Sequence, residues 1–250
     1  MSAARIMTIK QQSAPLPGES ASDKAVGFLR AMGAVVWKDL SAELRSRELI
    51  SAMLVFALLV ILILNFALDL DPATRRDPTI TAGVLWVIFV FAGTLGLNRS
   101  MSVEKDRGCM DGLLLAPVDR SAIYFGKVLG NLVFMLMVEI IVLPIYSLLY
   151  NVNLFNPGLM LVILLGSIGY VAVGTLLAAM AVQARTRDIL LPILLFPVVL
   201  PVILAAVKAS TGFLVGSEMD LLRPWLNLLI AYDLIFSAVA FMVFDYVVEE

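Results

Sequence analysis

The sequence predicts an all-α integral membrane protein, with six transmembrane helices behind an N-terminal interfacial amphipathic helix. Three observations predict it. Of 250 residues, 61% are apolar and only 15% charged, against roughly 45–50% and about 25% in soluble domains, and a soluble fold of this size has too little interior to hide so many apolar side chains. The apolar residues fall into six runs of the ~20 residues that a membrane-spanning helix needs. The lysines and arginines are divided unequally between the segments that join those runs.

Taken in order, residues 1–23 carry Pro15, Pro17, Gly18 and scattered Ser and Gln without periodicity, which predicts a flexible cytoplasmic tail. They lack the apolar centre of a signal peptide. In residues 24–48, Lys38, Ser41 and Arg45 recur at helical spacing, with Arg30 two turns earlier and Val26, Leu29, Val36, Trp37 and Leu40 between them. That pattern suits a helix lying in the membrane interface; a plain cytosolic helix leading into the first span is the alternative. Residues 49–250 form the transmembrane domain, with spans at Leu49–Leu68, Ile80–Leu97, Leu129–Tyr150, Leu159–Val182, Ile189–Val207 and Trp225–Val248. Tyr150, Trp225 and Tyr246 sit near span ends as interfacial anchors.

With the N-terminus inside, fourteen of the eighteen Lys and Arg residues fall on inner segments, and only Arg75, Arg76, Lys208 and Arg223 fall outside. The positive-inside bias therefore predicts that both termini are cytoplasmic. The longest outer segment, Lys208–Pro224, has room for a short helix on the outer surface. No internal repeat is visible, which counts against a secondary transporter built from paired halves.

Several chemistries are excluded by counting. The chain has no histidine, removing the commonest general base, metal ligand and haem ligand. Its one cysteine, Cys109, cannot form an internal disulfide or a CxxC site, so no metal centre is expected. No phosphate-binding GxxxxGK[ST] loop is present, so ATP hydrolysis would belong to a separate chain. A net charge of −2 gives no field for nucleic acid. The chain is predicted to be non-catalytic.

The inner segment of about 98–128 holds the densest polar pattern. Glu104, Lys105, Asp106 and Arg107 precede Gly108, Asp111 and Gly112, an apolar knot centred on Leu114, then Pro117, Asp119 and Arg120. Asp111 can cap a short helix that stops before Pro117, and Asp119 or Ser121 can cap the next one. Such a helix can plug a cleft on a cytosolic partner while its ionic residues fix the register. The alternative is a solvated loop whose leucines touch the membrane surface.

Two acids lie inside spans. Glu139 is eleven residues from Tyr150, or ~16 Å along a helix, and Asp233 is eight residues past Trp225, or ~12 Å. Each costs about 2.5–3.5 kcal/mol at such depth. They are either functional or neutral hydrogen-bond donors between helices; Asn65, Tyr170, Thr175 or a partner subunit are candidate acceptors. Pro192, Pro197 and Pro201 should bend or break the fifth span, and Gly166, Gly169, Gly174 and Ala178 give the fourth a close-packing face.

An interfacial helix containing Trp37, Lys38, Asp39 and Leu40, six spans, and a loop with Glu104 and Gly108 ahead of Leu113–Arg120 resembles the membrane subunits of ABC-2 type exporters. More closely, the chain resembles the haem exporter protein B (CcmB) family of cytochrome c maturation. The stretches that carry this resemblance are Gly83–Phe89, Phe91–Gly93, Asn98–Arg99, Gly108–Arg120, Val138–Glu139, Leu191–Pro197, Ala231–Phe236 and the end at Glu250, and it spans about residues 34–250. It implies a bacterial inner-membrane permease subunit on whose inner loop a separate ABC ATPase docks, in a complex containing two copies of this chain. It further implies a haem-handling membrane protein and a periplasmic haem chaperone as partners, with haem as the substrate of the complex. ATP would act through the partner subunit, and this chain would hold no cofactor of its own. An ABC-2 exporter of polysaccharide, lipid or drug, and a mechanical adaptor that transports nothing, stand as alternatives.

Overall fold

A computed structural model of the chain describes residues 21–67, 76–106, 120–182 and 187–247. All the regular structure among the described residues is helical: α1 (Ala21–Ser46), α2 (Glu48–Ala67), α3 (Pro78–Asp106), α4 (Arg120–Tyr150), α5 (Pro157–Ala181), α6 (Arg187–Val215) and α7 (Met219–Val247). Six of these, α2 to α7, are long and apolar enough to cross a membrane, so the predicted fold class holds.

The six spans alternate in direction. At one end, Tyr146 on α4 donates to the carbonyl of Thr81 at the start of α3 (3.1 Å), and Asn156 ahead of α5 reaches the carbonyl of Phe213 on α6. At the other, Lys105 near the end of α3 donates to the carbonyl of Val182 after α5 (2.6 Å), and α1 packs along the first half of α4. α5 is the central helix, touching α3, α4, α6 and α7. Its start is well specified: Asn156 accepts from the Gly158 amide at 2.9 Å and Pro157 occupies the first turn. Its glycines then admit large neighbours. Gly166 receives the Trp86 indole, Gly174 receives Leu97, and Gly169 receives Asp233 and Tyr232, the close approach that small residues permit in a bundle without a hydrophobic driving force.

Two features differ from the sequence expectation, and a third removes one of its alternatives. α3 does not stop at Leu97 but runs to Asp106, whereas α4 begins at Arg120, between the two caps expected for it, Asp119 and Ser121. Hydropathy ends a span at the first polar residues; here Ser102 and Glu104 are buried against other helices and have no reason to uncoil. Lys208–Pro224 holds no separate surface helix. α6 continues through Lys208, and the turn to α7 is made by Gly216 at φ 75°, with Ser217 N–H bonded to the Gly212 carbonyl at 2.9 Å. Finally, α6 is one uninterrupted helix through Pro192, Pro197 and Pro201, so the triple proline does not break it. Packing against α5, α3 and α7 holds it together.

Candidate functional site

The most concentrated charge among the described residues lies where α1 meets α3 and α4. Glu104, expected in a loop, sits on the last turns of α3 and is 6% exposed. Its Oε1 accepts from Lys38 on α1 and pairs with Lys127 on α4 at 2.5 Å. Lys127 also donates to Asp39 Oδ2 at 2.7 Å, and Lys38 pairs with its neighbour Asp39 at 3.2 Å. Two cations and two carboxylates thus close a neutral ring over three helices. The Lys127 side chain is only 3% exposed. A lone charge that deep would cost several kcal/mol, so its burial depends on both acids. Burial by itself lowers the pKa of Lys38; the hydrogen bond and charge of Glu104, with those of Asp39, outweigh it and hold the ammonium above its ordinary value.

The sequence of α1 explains how it reaches this ring. Phe28, Val35, Asp39 and Glu43 recur at helical spacing on one face. Phe28 meets Phe125 of α4 edge-on at 6.3 Å, and Val35 closes on Gly126. Leu29, Trp37 and Leu44 stay exposed on other faces, Trp37 at 71%. Lys38, grouped by its spacing with Ser41 and Arg45 on an interfacial helix, is turned toward the ring. α1 ends in a tight elbow: Arg47 takes φ 56°, and Glu43 accepts from the Ile50 amide at 2.8 Å, capping α2.

Of the other site residues expected from the sequence, Arg107, Gly108, Asp111, Gly112, Leu114, Pro117 and Asp119 lie outside the described residues. Arg120 opens α4. The intramembrane acids Glu139 and Asp233 are both buried and approach α5 from different neighbours. Ser167 donates to Glu139 Oε1 at 2.6 Å, and Asp233 packs against Gly169. Within the chain, neither bonds to Tyr170 or Thr175. Tyr170 donates to the Val90 carbonyl at 2.8 Å, and Thr175 accepts from Asn131 at 3.0 Å. Glu139 Oε2 and both Asp233 oxygens lack a hydrogen-bond partner, the condition of a neutral acid or of a group awaiting another molecule.

Lys127 and Glu43 were missed by sequence reasoning. Lys127, between Gly126 and Val128, counted only as a flanking positive charge. The signal that could have found it is the pair of acids, Asp39 and Glu104, on the inward faces of α1 and α3, which need a buried cation.

Comparison with known proteins places the chain in a family. A family model described as CcmB protein matches residues 30–248, from within α1 to the end of α7. The chain belongs to the CcmB family. This CcmB-family chain is 26% identical over 191 residues to heme exporter protein B of Pseudomonas aeruginosa, covering 76% of the chain and 84% of that protein. It is equally 26% identical over 191 residues to heme exporter protein B of Bradyrhizobium diazoefficiens, covering 75% and 84%, and 26% identical over 176 residues to that of Rhodobacter capsulatus, covering 69% and 79%. The match to the CcmB family takes in the whole ionic ring, both intramembrane acids and the segment between α3 and α4.

Proposed function

We propose that the chain is the membrane subunit of a bacterial inner-membrane ABC-type haem exporter serving c-type cytochrome biogenesis, with a separate ATPase docking on residues 107–119. The observation that carries this is the family match across the entire bundle, beside a sequence that has no phosphate-binding loop and no histidine. The ionic ring supports the division of labour. It ties α1, the end of α3 and the start of α4 into one unit directly beside the connection that would receive the ATPase. Both termini face the cytoplasm in this reading, two copies pair in the complex, and haem ligation belongs to a neighbouring membrane protein and a periplasmic chaperone.

A second reading, in which the subunit relays force to a neighbour and conducts nothing, is favoured by one observation. Trp86, Phe89, Tyr124 and Tyr170, each at most 2% exposed, fill the centre of the described bundle. Haem flux measured in proteoliposomes separates the two readings. If Glu139→Gln and Asp233→Asn both keep full activity in a stable protein, conduction through those acids is excluded.

The test of the main reading is purification of the tagged chain from its native membrane in mild detergent, with identification of what accompanies it. An ABC ATPase together with a multi-span haem-binding protein is expected, and Arg107→Glu or Asp119→Arg should reduce ATPase recovery without affecting insertion. Absence of any ATPase would overturn the proposal.

A further inference from the structure

The surface of α1 divides three ways. Phe28, Val35, Asp39 and Glu43 turn to the bundle. Val26, Leu29, Trp37 and Leu44 recur at steps of three, eight and seven residues, which return to one side of a helix, and all four are exposed. Beside that apolar arc stand Arg30 and Arg45, exposed as well and fifteen residues apart, or ~22 Å along the helix. Arg47, in the elbow, adds a third exposed arginine.

These three arginines enter no ion pair among the described residues. The acids near them are committed elsewhere. Asp39 holds Lys127 and Lys38, Glu43 caps α2, and Glu48 holds Arg99. From Val26 to Arg47, the free side of α1 is therefore positive charge next to an apolar arc.

Its place in the fold says what such a surface meets. One residue, Arg47, separates α1 from α2, whose first residue, Glu48, opens a stretch long and apolar enough to cross a membrane. The ionic ring ties Lys38 and Asp39 to Glu104 and Lys127, at the polar ends of α3 and α4. α1 is thereby held at the edge of the hydrocarbon, the depth that an indole such as that of Trp37 favours. There an apolar arc sinks among acyl chains while arginines beside it extend to the phosphates.

We propose that the free side of α1 binds anionic phospholipid, with Val26, Leu29, Trp37 and Leu44 among the acyl chains and Arg30, Arg45 and Arg47 on the headgroups. Phosphatidylcholine offers the same phosphate, but its choline cancels the charge. Three unpaired arginines therefore favour a lipid of net negative charge, such as phosphatidylglycerol. A cytosolic protein with an acidic groove would match the arginines equally well, yet it would have to lift the apolar arc off the hydrocarbon edge at which the elbow and the ring hold it.

The test has two parts, both on the full-length protein. Nitroxide labels are attached after Leu29→Cys, Leu44→Cys, Ala34→Cys or Ser41→Cys, one at a time with Cys109→Ser, in vesicles of phosphatidylglycerol and phosphatidylcholine. All four positions are exposed, and Ala34 and Ser41 share the side of Arg30 and Arg45. Labels replacing Leu29 and Leu44 should be relaxed by oxygen, which concentrates in the hydrocarbon, and those replacing Ala34 and Ser41 by a water-soluble nickel chelate. Access of the chelate to the two leucine sites would give that face to a cytosolic partner, and shielding from both relaxants would give it to another segment of the chain; either result overturns the proposal. In the second part, native mass spectrometry follows titration of the delipidated protein with phosphatidylglycerol and phosphatidylcholine of identical acyl chains. Phosphatidylglycerol should bind preferentially, and Arg30→Gln and Arg45→Gln should each lower the preference by up to about five-fold. Arg223→Gln, at the other end of the bundle and paired with Asp220, should leave it unchanged. Equal binding of the two lipids, or a preference that survives Arg30→Gln and Arg45→Gln together, would also overturn the proposal.

Discussion

Replacing Lys127 with methionine tests whether the ionic ring holds α1 to the bundle. Methionine keeps much of the volume and removes the charge. Its two contacts, to Asp39 at 2.7 Å and Glu104 at 2.5 Å, are lost together, in a place where the lysine side chain is 3% exposed. Removing one partner of a buried pair costs roughly 3–5 kcal/mol because the other charge is stranded. Lys38 remains bonded to both acids but is 40% exposed and partly screened, so the expected loss lies at the lower end, about 3 kcal/mol. For a chain of this length that lowers Tm by roughly 6–12 °C. Adding Glu104→Gln removes the stranded carboxylate and should restore about 1 kcal/mol or more. Thermal unfolding of the four proteins of this cycle in one detergent measures both quantities. A single-variant shift under ~2 °C, or a double variant destabilised by the sum of the two single changes, would refute the reasoning.

Gly169→Ala should destabilise by about 1–3 kcal/mol through overpacking, because the added methyl meets the Asp233 carboxyl; Asp233→Ser in the same protein should relieve it, as read by thermal unfolding. Ser167→Ala strands the second oxygen of Glu139 as well and should cost about 1–3 kcal/mol, whereas Glu139→Gln retains an acceptor for Ser167 and should cost less. Arg47→Gly relaxes a left-handed residue at the elbow and should raise stability by up to about 1 kcal/mol; a loss of stability there would show that the arginine side chain contributes more than its backbone strain removes.

The number of spans could be read from the sequence because it depends on hydrophobic length alone, and lipid imposes that length. Span limits could not. Glu104 and Lys127 look like solvent-seeking ends until their partners are known, and those partners are 66 and 88 residues away, on Lys38 and Asp39 respectively. The same blindness applies to the acids within the membrane. That Glu139 and Asp233 would be buried followed from their position in the spans. That Ser167 and Gly169, two residues apart on one helix, would meet them required knowing which faces of α5 turn to α4 and α7. The three prolines of α6 show the converse: a strong local signal for a break is overridden by packing on α3, α5 and α7.

The length of α3 and α4 bears on how stiffly motion can pass through the molecule. Arg99, paired with Glu48 at the first residue of the first span, is followed by seven more helical residues to Asp106, or ~10 Å of rod. α4 has thirty-one residues, ~46 Å against a hydrocarbon core of about 30 Å. In the proposed complex, a partner that grips residues 107–119 would pull on the ends of two rods braced crosswise by Lys127 and Glu104. Compliance in such a linkage is set by the brace. Weakening the ring should leave an ATPase able to dock and turn over while less of each stroke arrives in the membrane.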